Sequence, residues 1–205
     1  LTVIKGNVGL MRHVGADAES LDSIDQEVDR LTRLVGDLLL LAQAESGRVP
    51  FDMAPVELDT VLLEVFQQMR VLAGDRLHVV MQEIDQILIN ADRDRIKQML
   101  LNLVGNAVQY TPSGGVVTLS LRKDGDRAHF SVTDNGPGIP AEDLPHIFER
   151  FYRGEKSRTR SKGSGFGLGL SIAYWIVRNH NGTVEVESRE GKGTTFNVWL
   201  PILTP

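Results

Sequence analysis

The sequence predicts an α+β chain in two parts, an N-terminal helical hairpin followed by a domain of mixed strands and helices. Up to residue 42 apolar residues recur every three or four positions, which is the pattern of amphipathic helices. After Pro50 short strand-like runs alternate with three helical segments. Gly47 and Pro50 separate the two patterns. We therefore expect a hairpin over 1–46, a linker over 47–55 and a second domain over 56–205.

The composition is that of an ordinary soluble chain that can bury a core. Of its 205 residues, 41% are hydrophobic and 24% are charged. The net charge of −5 argues against a nucleic-acid partner, and the lack of cysteine excludes disulfides, a thiolate nucleophile and sulfur-ligated metals. Apolar runs such as Leu38–Ala42 are far shorter than the ~20 residues of a membrane span, so we predict a cytoplasmic location. A start at Leu1, without Met or a signal-like segment, indicates a fragment of a longer protein.

The first part is predicted to contain two helices, over 1–14 and from Leu21 to Ala42, joined by the small and polar stretch 15–20. Such a hairpin carries a long apolar stripe that it cannot bury on itself. We expect a second copy to pair with it in a four-helix bundle. The alternative is that the helices pack back on the following domain.

Strands and helices alternate through the second part. Strands are predicted at Leu77–Met81, Gln86–Asn90, Val116–Arg122, Ala128–Asp134, Thr183–Ser188 and Thr195–Leu200. Helices are predicted at Leu58–Ala73, Arg93–Tyr110 and Leu168–His180. The stretch 153–165 has almost no apolar content and is predicted to be a long functional loop.

A narrow polar face interrupts the otherwise apolar helix Arg93–Tyr110. Gln98, Asn102 and Asn106 are spaced four residues apart and share that face. It is either an ordinary solvent-facing stripe or a pair of amide oxygens offered to Mg²⁺, which prefers oxygen ligands.

A carboxylate ends the strand Ala128–Asp134 on the same face as Phe130 and Val132. A buried carboxylate needs hydrogen-bond donors, and the amino group of a purine could supply one. Gly136 and Gly138 follow directly and allow the backbone to approach a flat ligand. The alternative is a simple Asx turn at the end of the strand.

Glycines between Gly163 and Gly169 lead into the last helix, where free backbone N–H groups favour an anion. The preceding loop carries five cations against one Glu: Arg153, Lys156, Arg158, Arg160 and Lys162. The pattern GxxxxGK[ST] is absent, and the GxGxxA match at Gly136 lacks an acid about twenty residues later. The glycines therefore indicate a different phosphate-binding architecture.

Five segments in a fixed order carry a family resemblance: Gln98–Pro112, Asp134–Ile139, Ile147–Arg153, Gly165–Leu170 and Glu190–Phe196. Together they resemble the N box, first glycine box, F box, second glycine box and closing segment of the catalytic ATP-binding domain of sensor histidine kinases. The resemblance covers roughly Val56–Pro201. The hairpin before it resembles the dimerisation and phosphotransfer domain of the same family.

The resemblance implies a two-layer α/β sandwich with a mixed sheet, three helices on one face, and ATP between the helices and a lid. It implies that Asn106, helped by Asn102, holds Mg²⁺ at the phosphates, and that Asp134 accepts a hydrogen bond from the adenine amino group. The other ATP-binding positions that it implies are Tyr110, Gly136, Gly138, Arg153, Lys162, Gly165, Gly167, Leu168, Gly169 and Thr194. Gln109 departs from the family, which often has a cation at that position.

The family's phosphate-accepting histidine opens a His-Glu-x-x-x-Pro stretch that leads into Leu-Thr-Val-Ile, and this chain begins at that last motif. None of its five histidines has the same context: His13, His78, His129, His146 and His180. We therefore predict that this fragment binds ATP without phosphorylating itself.

In the parent protein the resemblance implies γ-phosphoryl transfer to an upstream histidine and relay to an aspartate on a response-regulator receiver domain. A homodimer and an inner-membrane anchor elsewhere in the parent protein are compatible with it. Two alternatives stay open, an ATPase of the related gyrase, chaperone and mismatch-repair branch and an ATP-binding dimeric scaffold. Those ATPases carry a Glu where Asn102 stands, to activate water.

Overall fold

The computed structural model describes residues 11, 18–45, 50–154 and 166–203, and the chain divides into two compact units, 1–50 and 51–205. In the first unit, α1 runs over Ala18–Glu45. Its apolar side chains include buried ones, Leu21, Val28, Leu40 and Leu41, and exposed ones, Ile24, Leu31, Val35, Leu38 and Leu39. The first predicted helix lies almost wholly outside the described residues, so the hairpin stays a prediction.

The second unit contains a mixed five-stranded sheet, which confirms the predicted class of fold. The sheet strands are β2 (His78–Ile84), β4 (Val116–Asp124), β5 (Arg127–Asp134), β6 (Thr183–Arg189) and β7 (Gly193–Pro201), in the order β2-β4-β5-β7-β6. The β2–β4 pair is parallel and the other three pairs are antiparallel. A separate two-stranded antiparallel sheet pairs β1 (Ala54–Glu57) with β3 (Leu88–Ala91).

Three helices accompany the sheet: α2 (Leu58–Ala73), α3 (Arg93–Tyr110) and α4 (Gly169–Asn179). A short 3₁₀ turn lies at Leu144–His146. None of the helices in the described part of the chain has the length and apolar content that a membrane crossing requires.

The core lies between these helices and one face of the sheet. On that inner face one cross-strand row is apolar, with the half-buried Val186 in register with the buried Phe196, Val132 and Leu119. The next row toward one end of the sheet is polar, with Ser188, Thr194 and Asp134 in register. The apolar core therefore ends in a line of hydrogen-bonding groups.

The opposite face of the sheet is polar. Ser120 and Ser131 hydroxyls meet across β4 and β5 at 2.7 Å, and His129 stacks on Trp199 with ring centroids 4.7 Å apart. Because successive side chains along each strand point to opposite faces, the apolar residues face the helices of this unit and the polar ones lie on the other side.

The first two residues of the second unit, Phe51 and Asp52, contact the ends of two helices. The Asp52 N–H donates to Asp92, which caps the start of α3 and also accepts from Arg95 N–H. The Asp92 N–H donates to Nε2 of the buried His180, just after α4. Phe51 contacts the rings of both His180 and Trp175.

Candidate functional site

The carboxylate of Asp134 is buried at the polar end of the inner sheet face, with 9% of the residue exposed. Burial raises the pKa of Asp134, and hydrogen bonds from the backbone N–H groups of Gly136 and Thr194 oppose that rise. The Gly136 N–H lies 2.8 Å from Oδ1. The sequence anticipated the inward carboxylate. The Gly136 contact is the Asx turn that the sequence offered as the alternative, and the structure adds a second donor, the Thr194 N–H on the neighbouring strand.

The loop after β5 is held against the turn between β6 and β7. Gly138 has φ +70°, and a β-carbon there would lie 2.2 Å from the carbonyl oxygen of Arg189. Gly193 has φ +113°, and a β-carbon there would lie 2.0 Å from the carbonyl oxygen of Asp134. Both positions require glycine because the protein's own backbone occupies the space. The resemblance predicted that Gly138 lines the purine pocket, and that role stays a prediction beside this packing role.

The polar face of α3 runs from the start of α4 to the loop after β5. A β-carbon on Gly169 would lie 3.6 Å from the Asn102 side chain, and one on Gly136 would lie 3.4 Å from the Tyr110 carbonyl oxygen. Asn106 lies one turn from each of Asn102 and Tyr110, and all three are half-buried. The structure thus brings the two amides of α3, the glycine at the start of α4 and the Asp134 loop together along one line.

Asn102 has an unsatisfied donor. Its amide nitrogen Nδ2 is buried and has no hydrogen-bond partner among the described residues. Such a group costs about 1–3 kcal/mol unless an acceptor binds to it. An oxygen-rich ligand between α3 and the start of α4 would remove that cost.

The residues just before α4 are hydrogen-bonded to the residues that follow the 3₁₀ turn. The Phe151 N–H donates to the Gly167 carbonyl oxygen at 2.9 Å, and Gly167, at φ +75°, leaves no room for a β-carbon beside Tyr152. Tyr152 in turn donates its hydroxyl to Asp143 at 2.6 Å. Phe151 is exposed and has φ +63°, which is unusual for a residue with a side chain.

The remaining predicted site residues are placed as follows. Leu168 is buried just before α4 and its carbonyl oxygen accepts from Ile172 N–H and the Ser171 hydroxyl. Arg153 is half-buried, two residues after Phe151. Lys162 and Gly165 lie outside the described residues.

Two further residues shape this region and were not singled out from the sequence. Arg76 donates to the carbonyl oxygens of Val108 and Thr111 and so closes the end of α3 beside Tyr110. Ser188 contacts Thr194 and the loop after β5. A single Arg after a turn and a Ser in a strand carry no local signal, because their partners are distant in sequence.

The described residues contain no group of three or more His, Asp or Glu side chains that could hold a metal ion. A cation at this site would therefore depend on amide oxygens and on the ligand's own oxygens.

Comparison with known proteins gives consistent matches. The family model described as histidine kinase-, DNA gyrase B-, and HSP90-like ATPase matches residues 91–204. The probable sensor histidine kinase TcrY of Mycobacterium tuberculosis is 38% identical over 206 residues, covering 98% of this chain and 43% of the relative. The sensor histidine kinase YclK of Bacillus subtilis is 35% identical over 211 residues, covering 98% and 44%.

Among solved structures, full-length ShkA in complex with AMPPNP superposes with a TM-score of 0.81 at 30% identity. That match covers 98% of this chain and 43% of the ShkA chain. This chain therefore spans less than half the length of each of these three proteins.

Proposed function

Because this chain belongs to the family of histidine kinase-, DNA gyrase B- and HSP90-like ATPases and carries the catalytic ATP-binding domain of a sensor histidine kinase, we propose that it transfers the γ-phosphoryl group of Mg·ATP to a histidine outside this chain. The phosphoryl group would then pass to an aspartate on a response-regulator receiver domain. We further propose that the N-terminal hairpin forms a homodimer. We also propose that this region lies in the cytoplasm, including the case in which the parent protein is anchored in the inner membrane.

One observation carries the proposal. A buried carboxylate with two backbone donors, Asp134, lies at one end of a polar face whose other end, Asn102, has an unsatisfied amide N–H. These ends fit the two parts of a nucleoside triphosphate. The carboxylate accepts from a base amino group, and the amide donates to a phosphate oxygen.

The residues between these ends also fit the ligand. We assign Tyr110 and Gly136 to the purine, because both lie beside the Asp134 carboxylate and a β-carbon at Gly136 would crowd its Oδ1 at 2.7 Å. Gly169 begins an eleven-residue helix, so its N-terminal dipole favours phosphate. Two residues of the proposed phosphate site, Gly167 and Leu168, lie directly before this helix. Arg153 follows Phe151, whose N–H donates to the Gly167 carbonyl oxygen, and we propose that Arg153 offsets the negative charge of the γ-phosphate.

The amide oxygens of Asn102 and Asn106 fit Mg²⁺, a hard cation that prefers neutral and anionic oxygen ligands. When bound, the ion supplies positive charge that offsets the phosphate charges. The protein's own contribution is to orient the phosphates and hold the purine, since phosphoryl transfer depends mostly on positioning and charge neutralisation. An amide at position 102 cannot act as a base toward water, which disfavours hydrolysis as the main activity.

We place the accepting histidine outside this chain because none of its five histidines has the sequence context of the family's acceptor, and because three of the four described ones are engaged through their side chains, His78 being exposed on β2. His180 is buried, His129 stacks on Trp199, and His146 pairs with Glu149 at 2.7 Å. Incubation with γ-labelled ATP and Mg²⁺ is expected to leave no phosphohistidine on this chain. A labelled histidine within residues 1–205 would contradict this part of the proposal.

Calorimetric titration with ATP, in the presence and absence of Mg²⁺, tests the nucleotide site. We expect binding that Mg²⁺ strengthens, and an Asn106→Ala variant that has lost most of this gain because one amide oxygen is gone. Gln109→Ala, an exposed position on the same helix, serves as the matched control and is expected to behave like the wild type. Absence of ATP binding by the wild type would refute the proposed function.

A further inference from the structure

Ser188 joins three parts of the polar row. Its Oγ accepts a hydrogen bond from the Ile139 N–H at 2.8 Å, lies 3.0 Å from the Gly193 carbonyl oxygen and lies 2.9 Å from Thr194 Oγ1. The side chain is half-buried on the inner face, in register with Thr194, which is in register with Asp134. Ser188 thus connects the loop after β5 to the start of β7.

Counting protons determines the direction of each of these hydrogen bonds. A hydroxyl has one proton to donate and two lone pairs that accept. The Gly193 carbonyl oxygen can only accept, so the proton of Ser188 points to it. Ile139 N–H occupies one lone pair of Ser188, and the Thr194 hydroxyl must donate its single proton to the other. Toward any other group Thr194 then presents lone pairs alone.

Asp134, the neighbour of Thr194 across the strands, is an acceptor as well. Its carboxylate already receives the N–H groups of Gly136 and Thr194 and has further lone pairs. The polar row therefore offers two adjacent acceptors, and its hydroxyl protons are directed within the protein.

We propose that Ser188 is a positioning residue that holds the Thr194 hydroxyl as an acceptor, so that Asp134 and Thr194 together select a purine with a 6-amino group over one with a 6-oxo group. The inference rests on the proposed nucleotide site. An amino group has two protons and serves both acceptors. A 6-oxo purine offers one donor, N1–H, beside an acceptor, so one oxygen of the row meets another acceptor.

The test compares the affinities of Mg·ATP and Mg·ITP by calorimetry in the wild type and in Ser188→Ala. Without the Ser188 oxygen, the Thr194 hydroxyl is free to donate to a 6-oxo group. We expect the preference for ATP to fall about tenfold in Ser188→Ala, mainly through tighter ITP binding, which is the effect of roughly one hydrogen bond.

Two further variants separate positioning from a general structural effect. Ser188→Thr keeps the hydroxyl and is expected to retain the wild-type preference for ATP over ITP, which Ser188→Ala loses. Ser131→Ala removes a hydroxyl that pairs with Ser120 on the outer face of the same sheet, and is expected to leave the preference unchanged.

The outcomes distinguish the two proposals. A preference that survives in Ser188→Ala, or affinities for both nucleotides that fall by the same factor, would overturn the role of Ser188 and leave the nucleotide site standing. A wild type that binds neither nucleotide would overturn both. A wild type that binds ATP and ITP equally would overturn the selection of a 6-amino purine, and the role of Ser188 with it, and would leave the nucleotide site standing.

Discussion

The replacement Asp134→Asn is expected to separate nucleotide binding from stability, because the carboxylate is the base acceptor of the proposed site and its burial opposes folding at neutral pH. Burial raises the pKa of Asp134 above its ordinary value of 3.8. A raised pKa means that the stabilising contribution is full below pH 3.8 and is lost as the pH rises through the folded-state pKa. At neutral pH the charge therefore lowers stability. The neutral amide removes this effect and keeps an oxygen for the Gly136 N–H.

Nucleotide affinity is expected to fall, since a base amino group would lose a charged acceptor and face an N–H₂ group. Such a hydrogen bond contributes about 2 kcal/mol, or roughly thirtyfold in affinity. With ATP at about 100 times the wild-type Kd, the stabilisation by ligand falls from about 2.7 to about 0.9 kcal/mol. For a unit of this size, the ligand-induced increase in Tm falls from about 5–10 °C to about 2–3 °C.

Thermal melting with and without Mg·ATP measures both effects. The ligand-free variant is expected to melt at or above the wild-type temperature. Asp124→Asn changes an exposed carboxylate of the same sheet that accepts from Trp199, and it is expected to keep the full ligand response. An Asp134→Asn variant that retains the wild-type response, or that melts well below the wild type without ligand, would refute the reasoning.

Two other predictions concern the fold. Gly193→Ala would place a β-carbon 2.0 Å from the Asp134 carbonyl oxygen, and we expect its urea unfolding free energy to fall by more than about 2 kcal/mol. Gly191→Ala, also at positive φ but in open space, should lose only about 1 kcal/mol, and equal losses would contradict the steric argument. Burial lowers the pKa of His180 below 6.5, and the opposing effects of the hydrogen bond to the Ile176 carbonyl oxygen and of the Asp92 carboxylate are smaller. The contribution of His180 to stability is therefore present above pH 6.5 and declines as the pH falls through the folded-state pKa. The loss of stability between about pH 7.5 and pH 5.5 should shrink in His180→Gln and persist in His129→Gln, and an equal loss in both would assign the acid sensitivity to other groups.

Local pattern was sufficient for the elements with clear periodicity. The helices predicted at Leu58–Ala73 and Arg93–Tyr110 have the bounds seen in the structure. The strand Ala54–Glu57 was missed, because it is four residues long, contains Pro55 and pairs with a strand more than thirty residues away. Such a strand is defined by its partner and has little signal of its own.

The candidate site also has features that follow from local pattern and features that depend on distant parts of the chain. The inward direction of Asp134 follows from the alternation of its strand, and the shared face of Asn102 and Asn106 follows from helical spacing. The Gly136 N–H donor is the local contact of the Asx turn that the sequence offered as an alternative. The Thr194 N–H donor and the role of Ser188 were out of reach, because they depend on the pairing of β5, β6 and β7. The reason that Gly138 must be glycine was also out of reach, since the atom that excludes a side chain belongs to Arg189.

The attachment of Phe51 and Asp52 has a mechanical consequence. A force applied to the chain at Pro50 passes through the hydrogen bond from the Asp52 N–H to the Asp92 carboxylate, which caps α3. It also passes through the ring contacts of Phe51 with Trp175 and His180 to the end of α4. Both helices are stiff, and Asn102 and Gly169 meet farther along them. In the proposed site, tension or rotation at the entrance would therefore change the spacing between Asn102 and Gly169 before it disturbs Asp134, which is anchored in the sheet.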